Sequence, residues 1–342
     1  LIKGLTMTPF IQSLPKVELH LHIEGSLEPE LMFALAKSND VEIPFKTVAD
    51  IKAAYNFHNL QSFLDIYYQG ANVLIKEQDF FDLTWAYLLR CQADNVIHTE
   101  IFFDPQTHTD RGIPFETVVN GIHNALQKAQ IELGITSKLI MCFLRHLDED
   151  AAFKTLEMAL AHKDKIVGVG LDSAEVGNPA GKFERVFKAA LSHGFLTVAH
   201  AGEEGPADSI REALDLLKIT RIDHGVSCSQ DDSLLELLAQ HRTPLTVCPL
   251  SNTKLKVFEK MEQHNIVALL RRGLCVTINS DDPAYFGGYM TDNFLAVAQA
   301  HPMSKTEIAQ FTLNAIEASF ISDEEKARLN AVTNAYIAQH KD

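Results

Sequence analysis

The feature that most constrains this chain is a recurrence of short β-branched runs, each ending in a polar junction and followed by a helical pattern. The runs are "PKVELHLHIEG" (15–25), "NVIHTEIFFDP" (95–105), "SKLIMCFL" (137–144), "IVGVGLDS" (166–173), "FLTVAHAGE" (195–203), "RIDHGV" (221–226), "PLTVCPLSN" (244–252) and "GLCVTINSDDP" (273–283). Between them, stretches such as "PFETVVNGIHNALQKAQIELG" (114–134), "ADSIREALDLL" (207–217), "DDSLLELLAQH" (231–241) and "IVALLRRG" (266–273) carry apolar residues at i, i+3 and i+4, one face of a helix. Eight strand-then-helix units predict an α/β fold, a parallel (β/α)8 barrel of the TIM type. A doubly wound open sheet is the alternative. It requires a glycine-rich phosphate turn after the first strand, and "IEGSLEP" is not one.

The interval 24–94 is too long for a single crossover helix. Patterns such as "EPELMFALAKSN" and "NLQSFLDIYYQGANVLI" predict several helices inserted between strands 1 and 2, over the C-terminal mouth of the barrel where ligands bind. Leu60, Phe63 and Leu64 lie at helical spacing and are candidates for an apolar flap over substrate; the plainer expectation is that they pack their helix onto the barrel. Without a Gly/Ser linker, low-complexity stretch or short-period repeat, residues 14–342 read as one domain. Residues 1–13 are expected to form an N-terminal tail, with 1–6 lying ahead of a natural start at Met7.

Charge narrows the partners. With 30 Lys and Arg against 45 Asp and Glu the formal net charge is −15, which disfavours nucleic acid, since phosphate binding needs clustered cations. A small-molecule substrate is expected instead. The five cysteines (91, 142, 228, 248, 275) are scattered, odd in number and without a CxxC, which argues for a reducing, cytoplasmic setting. No run approaches the ~18 apolar residues of a membrane span, so no membrane partner is expected. Oligomeric state is not legible.

The first strand carries an unusual polar face. Val17, Leu19, Leu21 and Ile23 alternate with Glu18, His20, His22 and Glu24. Residues i and i+2 of a strand project from the same face about 6 to 7 Å apart, so His20 and His22 stand side by side and can converge on one divalent cation. Alone, HxH is a weak signal. It strengthens because His200 ends strand 5 with Glu203 three residues on, His224 ends strand 6, and Asp281 and Asp282 end strand 8. Each has an ordinary structural explanation: a core histidine, a turn beside Gly225, a helix cap before Pro283. Those explanations leave unexplained why all sit at the same relative position, where a parallel barrel brings strand ends to one mouth.

A metal site with a spare histidine and a spare carboxylate suits hydrolysis, because the ion lowers the pKa of water while the other groups move protons. Strand 4 ends "GVGLDSAEVG" without a lysine to bridge two ions, which favours one metal. The other histidines (58, 108, 162, 241, 264 and 340 among them) are expected at the surface.

Taken in order, "HLH", "HAGEEG", "DHG" and "SDDP" resemble the adenosine/adenine deaminase family from about Leu14 to the 330s. The resemblance implies a (β/α)8 barrel, one zinc (iron or manganese being the alternatives) and removal of a purine 6-amino group as ammonia. It implies His20, His22, His200 and Asp281 as zinc ligands and Glu203 as proton donor to purine N1. It also implies His224 as the residue that positions and helps deprotonate the zinc-bound water attacking C6, and Asp282 as the partner of N7. The unrelated cytidine-type deaminases need a PCxxC that this chain lacks.

Within the family, "HIEGSLEPELMF", "LDSAEVG", "CPLSNTKLKVF" and "SDDPAYFGGY" look like the adenine deaminase branch. Glu24 stands where adenosine deaminases usually carry an aspartate for the ribose, and Glu175 where they carry a glycine. Both are therefore expected to contact a free base, adenine, alongside Leu60 and Phe63, within purine salvage. The alternatives are adenosine or a modified adenine with the same mechanism, another mononuclear barrel hydrolase, or a purine or metal binder without turnover. A purine panel with ammonia detection separates them.

Overall fold

Alternation in the first strand dictates how the sheet closes. The structure, a computed structural model, describes residues 2–340. Strand β1 (Lys16–His22) is buried along its whole length, so neither of its faces meets solvent. Val17 and Leu19 pack outward against Cys275, Ala315, Ile316 and Leu329. The polar set therefore points into the barrel.

Seven further strands follow: β2 (Val96–Phe103), β3 (Thr136–Leu144), β4 (Gly168–Asp172), β5 (Leu196–Ala201), β6 (Arg221–His224), β7 (Leu245–Val247) and β8 (Val276–Ile278). They lie in sequence order, each parallel to the next. An isolated parallel bridge between Leu21 and Asp281 closes the ring: His22 N–H donates to the Asp281 carbonyl at 2.9 Å, and Asp281 N–H to the His20 carbonyl at 3.0 Å. The fold is a (β/α)8 TIM barrel. Strands 7 and 8 are shorter than their sequence runs, because Pro249 and Pro283 open helices Pro249–Lys254 and Pro283–Phe286, where proline's fixed φ suits the first helical turn.

The insertion between β1 and β2 folds into helices Pro29–Ser38, Val48–Ala54, Leu60–Ala71 and Glu77–Ala93. Asn59 starts the third with a capping box to Ser62, which fixes where that helix begins over the mouth. The expected N-terminal tail is instead a helix, Ile2–Ser13: its Phe10 and Ile11 are buried in the main core, and Tyr336 donates to the Phe10 carbonyl. Apolar residues at 10, 11 and 14 have a core to join, so the segment orders. His108, His162 and His264 are likewise buried rather than at the surface. No helix among the described residues is long and apolar enough to cross a membrane.

Beneath the mouth, the inward row of β2 runs His98, Glu100, Phe102. Arg221, fully buried at the start of β6, donates to Glu100 Oε2 at 2.6 Å, and His98 Nε2 lies 3.1 Å from Oε1. Burial alone would raise the Glu100 carboxyl; the Arg221 guanidinium and His98 outweigh it and hold it at about 2. Its stabilising effect is thus present above the ordinary carboxyl range and lost only as pH falls toward 2. Breaking this pair leaves an uncompensated buried charge. Arg221→Met should lower the unfolding free energy in urea by about 3–5 kcal/mol, and adding Glu100→Leu should restore most of it.

Candidate active site

The strand C-termini bring the expected residues together. His20 Nε2 and His22 Nε2 lie 3.2 and 3.3 Å from Asp281 Oδ1, and His22 Nε2 lies 3.1 Å from His200 Nε2. Donor atoms of His20, His200, His224 and Asp281 fall within 4.8 Å of one another, all buried. Phe102 forms an apolar floor, its ring centroid 5.0 Å from His20 and 5.1 Å from His22.

Two adjacent residues of a strand normally face opposite ways. Here Asp223 and His224 both reach the site, as do Asp281 and Asp282. The alternation is broken by left-handed backbone, with φ of 66° at His224 and 62° at Asp281; Ser173, after β4, has 76°. For residues other than glycine such φ values carry strain, which persists where the surroundings over-determine the geometry. Glu18 supplies part of that framework: it accepts from the backbone N–H and hydroxyl of Ser280, holding the segment that leads into Asp281. A side chain at Gly25 would collide with the Asp282 carboxylate, so glycine is required there.

Each histidine that faces the donor set has a polar side chain close to its other nitrogen. His20 Nδ1 meets Thr246 Oγ1 at 3.0 Å, His22 Nδ1 meets Asp172 Oδ2 at 3.3 Å, and His200 Nδ1 meets Asp223 Oδ2 at 3.3 Å. Thr246 Oγ1 in turn donates to Asp223 Oδ1. Partners of this kind hold rings in orientation for a metal. Asp172, Asp223 and Thr246 were not among the residues singled out from sequence, although Asp172 and Asp223 stand at the strand-end positions that drew attention to the rest.

The donor set fits a divalent cation. His20 Nε2 is buried with no hydrogen-bond partner, and three imidazoles with a carboxylate are the mixed nitrogen and oxygen set that zinc takes. Left alone, such a cluster of buried polar atoms carries a large desolvation cost.

The electrostatics divide the carboxyls. Asp281 is driven well below the ordinary range, since the pull of His20 and His22 outweighs burial. Glu203 is pushed well above it by burial, by Asp281 and by Glu175. Asp282 is raised by burial and by Asp281. His224, depressed by burial and by His20, stays neutral; its Nε2 lies 3.4 Å from Glu203 Oε2. Two carboxyls are thus kept protonated beside one kept ionised, the division an acid–base site requires.

These groups line one cavity at the mouth of the barrel. Leu60, Phe63, Leu64 and Phe286 form its apolar wall, with Phe63 and Phe286 rings 4.8 Å apart. The structure puts Glu24 and Glu175 elsewhere, so the contact with a base expected of them is not what their side chains make. Glu24 Oε1 accepts from Asp104 N–H and from His108, both at 2.9 Å. Glu175 accepts from four successive backbone N–H groups, those of Gly202, Glu203, Glu204 and Gly205. A carboxylate matched to a nest of amides anchors a loop, here the loop that carries Glu203.

The family model described as adenosine deaminase matches residues 15–335. A relative from Vibrio parahaemolyticus named adenine deaminase is 65% identical over 98% of this chain and 99% of its own length. Another of that name, from Acinetobacter baylyi, is 60% identical over 94% of this chain and 97% of its own. The chain belongs to the adenosine deaminase family. A crystal structure of an adenine deaminase from Arthrobacter aurescens superposes with a TM-score of 0.94 at 48% identity, covering 95% of this chain and 99% of that one. An amidohydrolase from Burkholderia ambifaria solved with bound zinc gives 0.89 at 26% identity, covering 98% and 93%.

Removing the Glu175 anchor tests the loop assignment. Glu175→Ala should leave metal content unchanged yet lower kcat by on the order of 100-fold, because Glu203, on the loop it anchors, is displaced. Loss of metal in parallel would argue against it.

Proposed function

We propose that the chain hydrolyses adenine to hypoxanthine and ammonia, in cytoplasmic purine salvage, with one zinc ion held by His20, His22, His200 and Asp281. The observation that carries this reading is a buried divalent-cation donor set sharing a cavity with Glu203, a carboxyl kept protonated. Relatives named adenine deaminase at 57–65% identity support the free base as substrate.

When bound, zinc lowers the pKa of a water toward neutrality, making it a nucleophile. Glu203 gives its proton to purine N1, which makes C6 electrophilic. Asp282, protonated, donates a hydrogen bond to N7 and orients the ring. His224 belongs to a chain: Ile266 N–H donates to His264 Nδ1, His264 Nε2 faces Asn252 Oδ1 at 3.0 Å, and Asn252 Nδ2 faces His224 Nδ1 at 3.4 Å. That chain puts the His224 proton on Nε2, toward the reaction, which suits holding the attacking oxygen more than deprotonating it. The water oxygen adds to C6, which becomes tetrahedral, and the C6–N6 bond then breaks. One water proton leaves on ammonia, the other restores Glu203, and N1 keeps the proton it received. The apolar wall of Leu60 and Phe63 excludes bulk water.

Three measurements bear on this. The ratio of kcat/KM for adenine to that for adenosine, followed by ultraviolet absorbance, should strongly favour adenine; the reverse preference would discard the free-base reading. Glu203→Gln should retain metal and lose roughly 100- to 10,000-fold in kcat, whereas His20→Ala should lose metal and activity together. Because Glu203 is active in its protonated form, kcat/KM should decline as pH rises through its elevated pKa, and the residual activity of Glu203→Gln should lack that alkaline limb.

A further inference from the structure

Asp104 continues the inward row of β2, two residues above Phe102, and lines the cavity. Its Oδ2 accepts from Tyr67 Oη at 3.3 Å, while its Oδ1 is buried without a partner. On the same wall the Ser173 hydroxyl is engaged, meeting Tyr68 Oη at 2.9 Å and His146 Nδ1 at 2.8 Å, while Asp172 faces His22 through Oδ2 and leaves its own Oδ1 buried without a partner. An unpaired buried acceptor in a ligand cavity is costly unless a ligand donates to it.

The backbone of Asp104 is fixed from behind. Its N–H donates to Glu24 Oε1, which also accepts from His108 Nε2, and Arg111 Nη2 lies 3.0 Å from His108 Nδ1. With an arginine donating to Nδ1, the histidine must donate from Nε2. The whole line is rigidly polarised toward one point at the end of β2.

We propose that Asp104 selects the free base: its Oδ1 accepts the imidazole N9–H of adenine, an N–H that a nucleoside lacks because carbon occupies that nitrogen. Glu24 is then a positioning residue for Asp104 and acts on specificity without touching substrate. This rests on the adenine reading above. The assignment requires that, with C6 at the donor set, N1 at Glu203 and N7 at Asp282, the N9 edge meet the wall that holds Tyr67 and Asp104, which line the same cavity.

The test compares adenine with 9-methyladenine, which keeps C6, N1 and N7 but has no N9–H. In the unmodified chain adenine should be strongly preferred in kcat/KM. Asp104→Leu, of similar volume and without an acceptor, should reduce that preference roughly 10- to 100-fold through loss on adenine alone. Asp104→Asn, the variant better able to fold, has one acceptor oxygen for two donors and should also reduce it. Glu24→Gln should reduce it less. If both substrates fall together and the ratio stays put, Asp104 is structural and the assignment is wrong. Two metal equivalents falling to one in Asp104→Leu would overturn it too, by assigning Asp104 and Asp172 to a second cation. An unmodified chain inactive on adenine would remove the function reading and this inference with it. An active chain with an unmoved ratio would remove only the inference.

Discussion

The structure depends on one seam. Between β8 and β1 the barrel closes through Asp281, whose backbone both accepts from His22 and donates to His20. The same residue sends its carboxylate to within 3.2 and 3.3 Å of those two imidazoles. Closure of the sheet and convergence of the donor set are therefore one geometric event. Anything that loosens the seam loosens the donor set, and a cation held there would tie the first strand to the last.

Around that seam, rigidity is built in layers. Left-handed backbone at His224 and Asp281 lets consecutive residues face the same way, at a cost in strain that the surrounding hydrogen bonds of Glu18, Thr246 and Asp223 offset. Burial then differentiates the carboxyls. Histidines pull Asp281 down, while the negative charge of Asp281 helps push Asp282 and Glu203 up. One ionised group next to two neutral ones follows from position alone, with no special chemistry in any single residue.

Much of this was legible in the sequence. Eight β-then-α units define the barrel, and a barrel brings strand ends together, so His20, His22, His200, His224, Asp281 and Asp282 could be grouped from position. Asp104, Asp172 and Asp223 stand at equivalent strand ends and went unremarked, because an aspartate before proline, serine or histidine reads as a cap or turn. Glu24 and Glu175 show a different limit. Spacing puts a carboxylate near the mouth, but only the folded chain decides whether it meets a ligand or a row of backbone amides. The N-terminal helix went unread because its helical pattern is interrupted by Pro9, while Phe10 and Ile11 find their partners in the distant core.

Three strand ends, carrying four donor residues, make one cation site on which hydrolysis is proposed to depend. Titrating zinc into metal-free chain while following adenine loss by ultraviolet absorbance tests it most directly. No turnover is expected without metal, followed by a linear rise that breaks at one equivalent per chain. Full activity before any zinc is added, or a break at two equivalents, would contradict it.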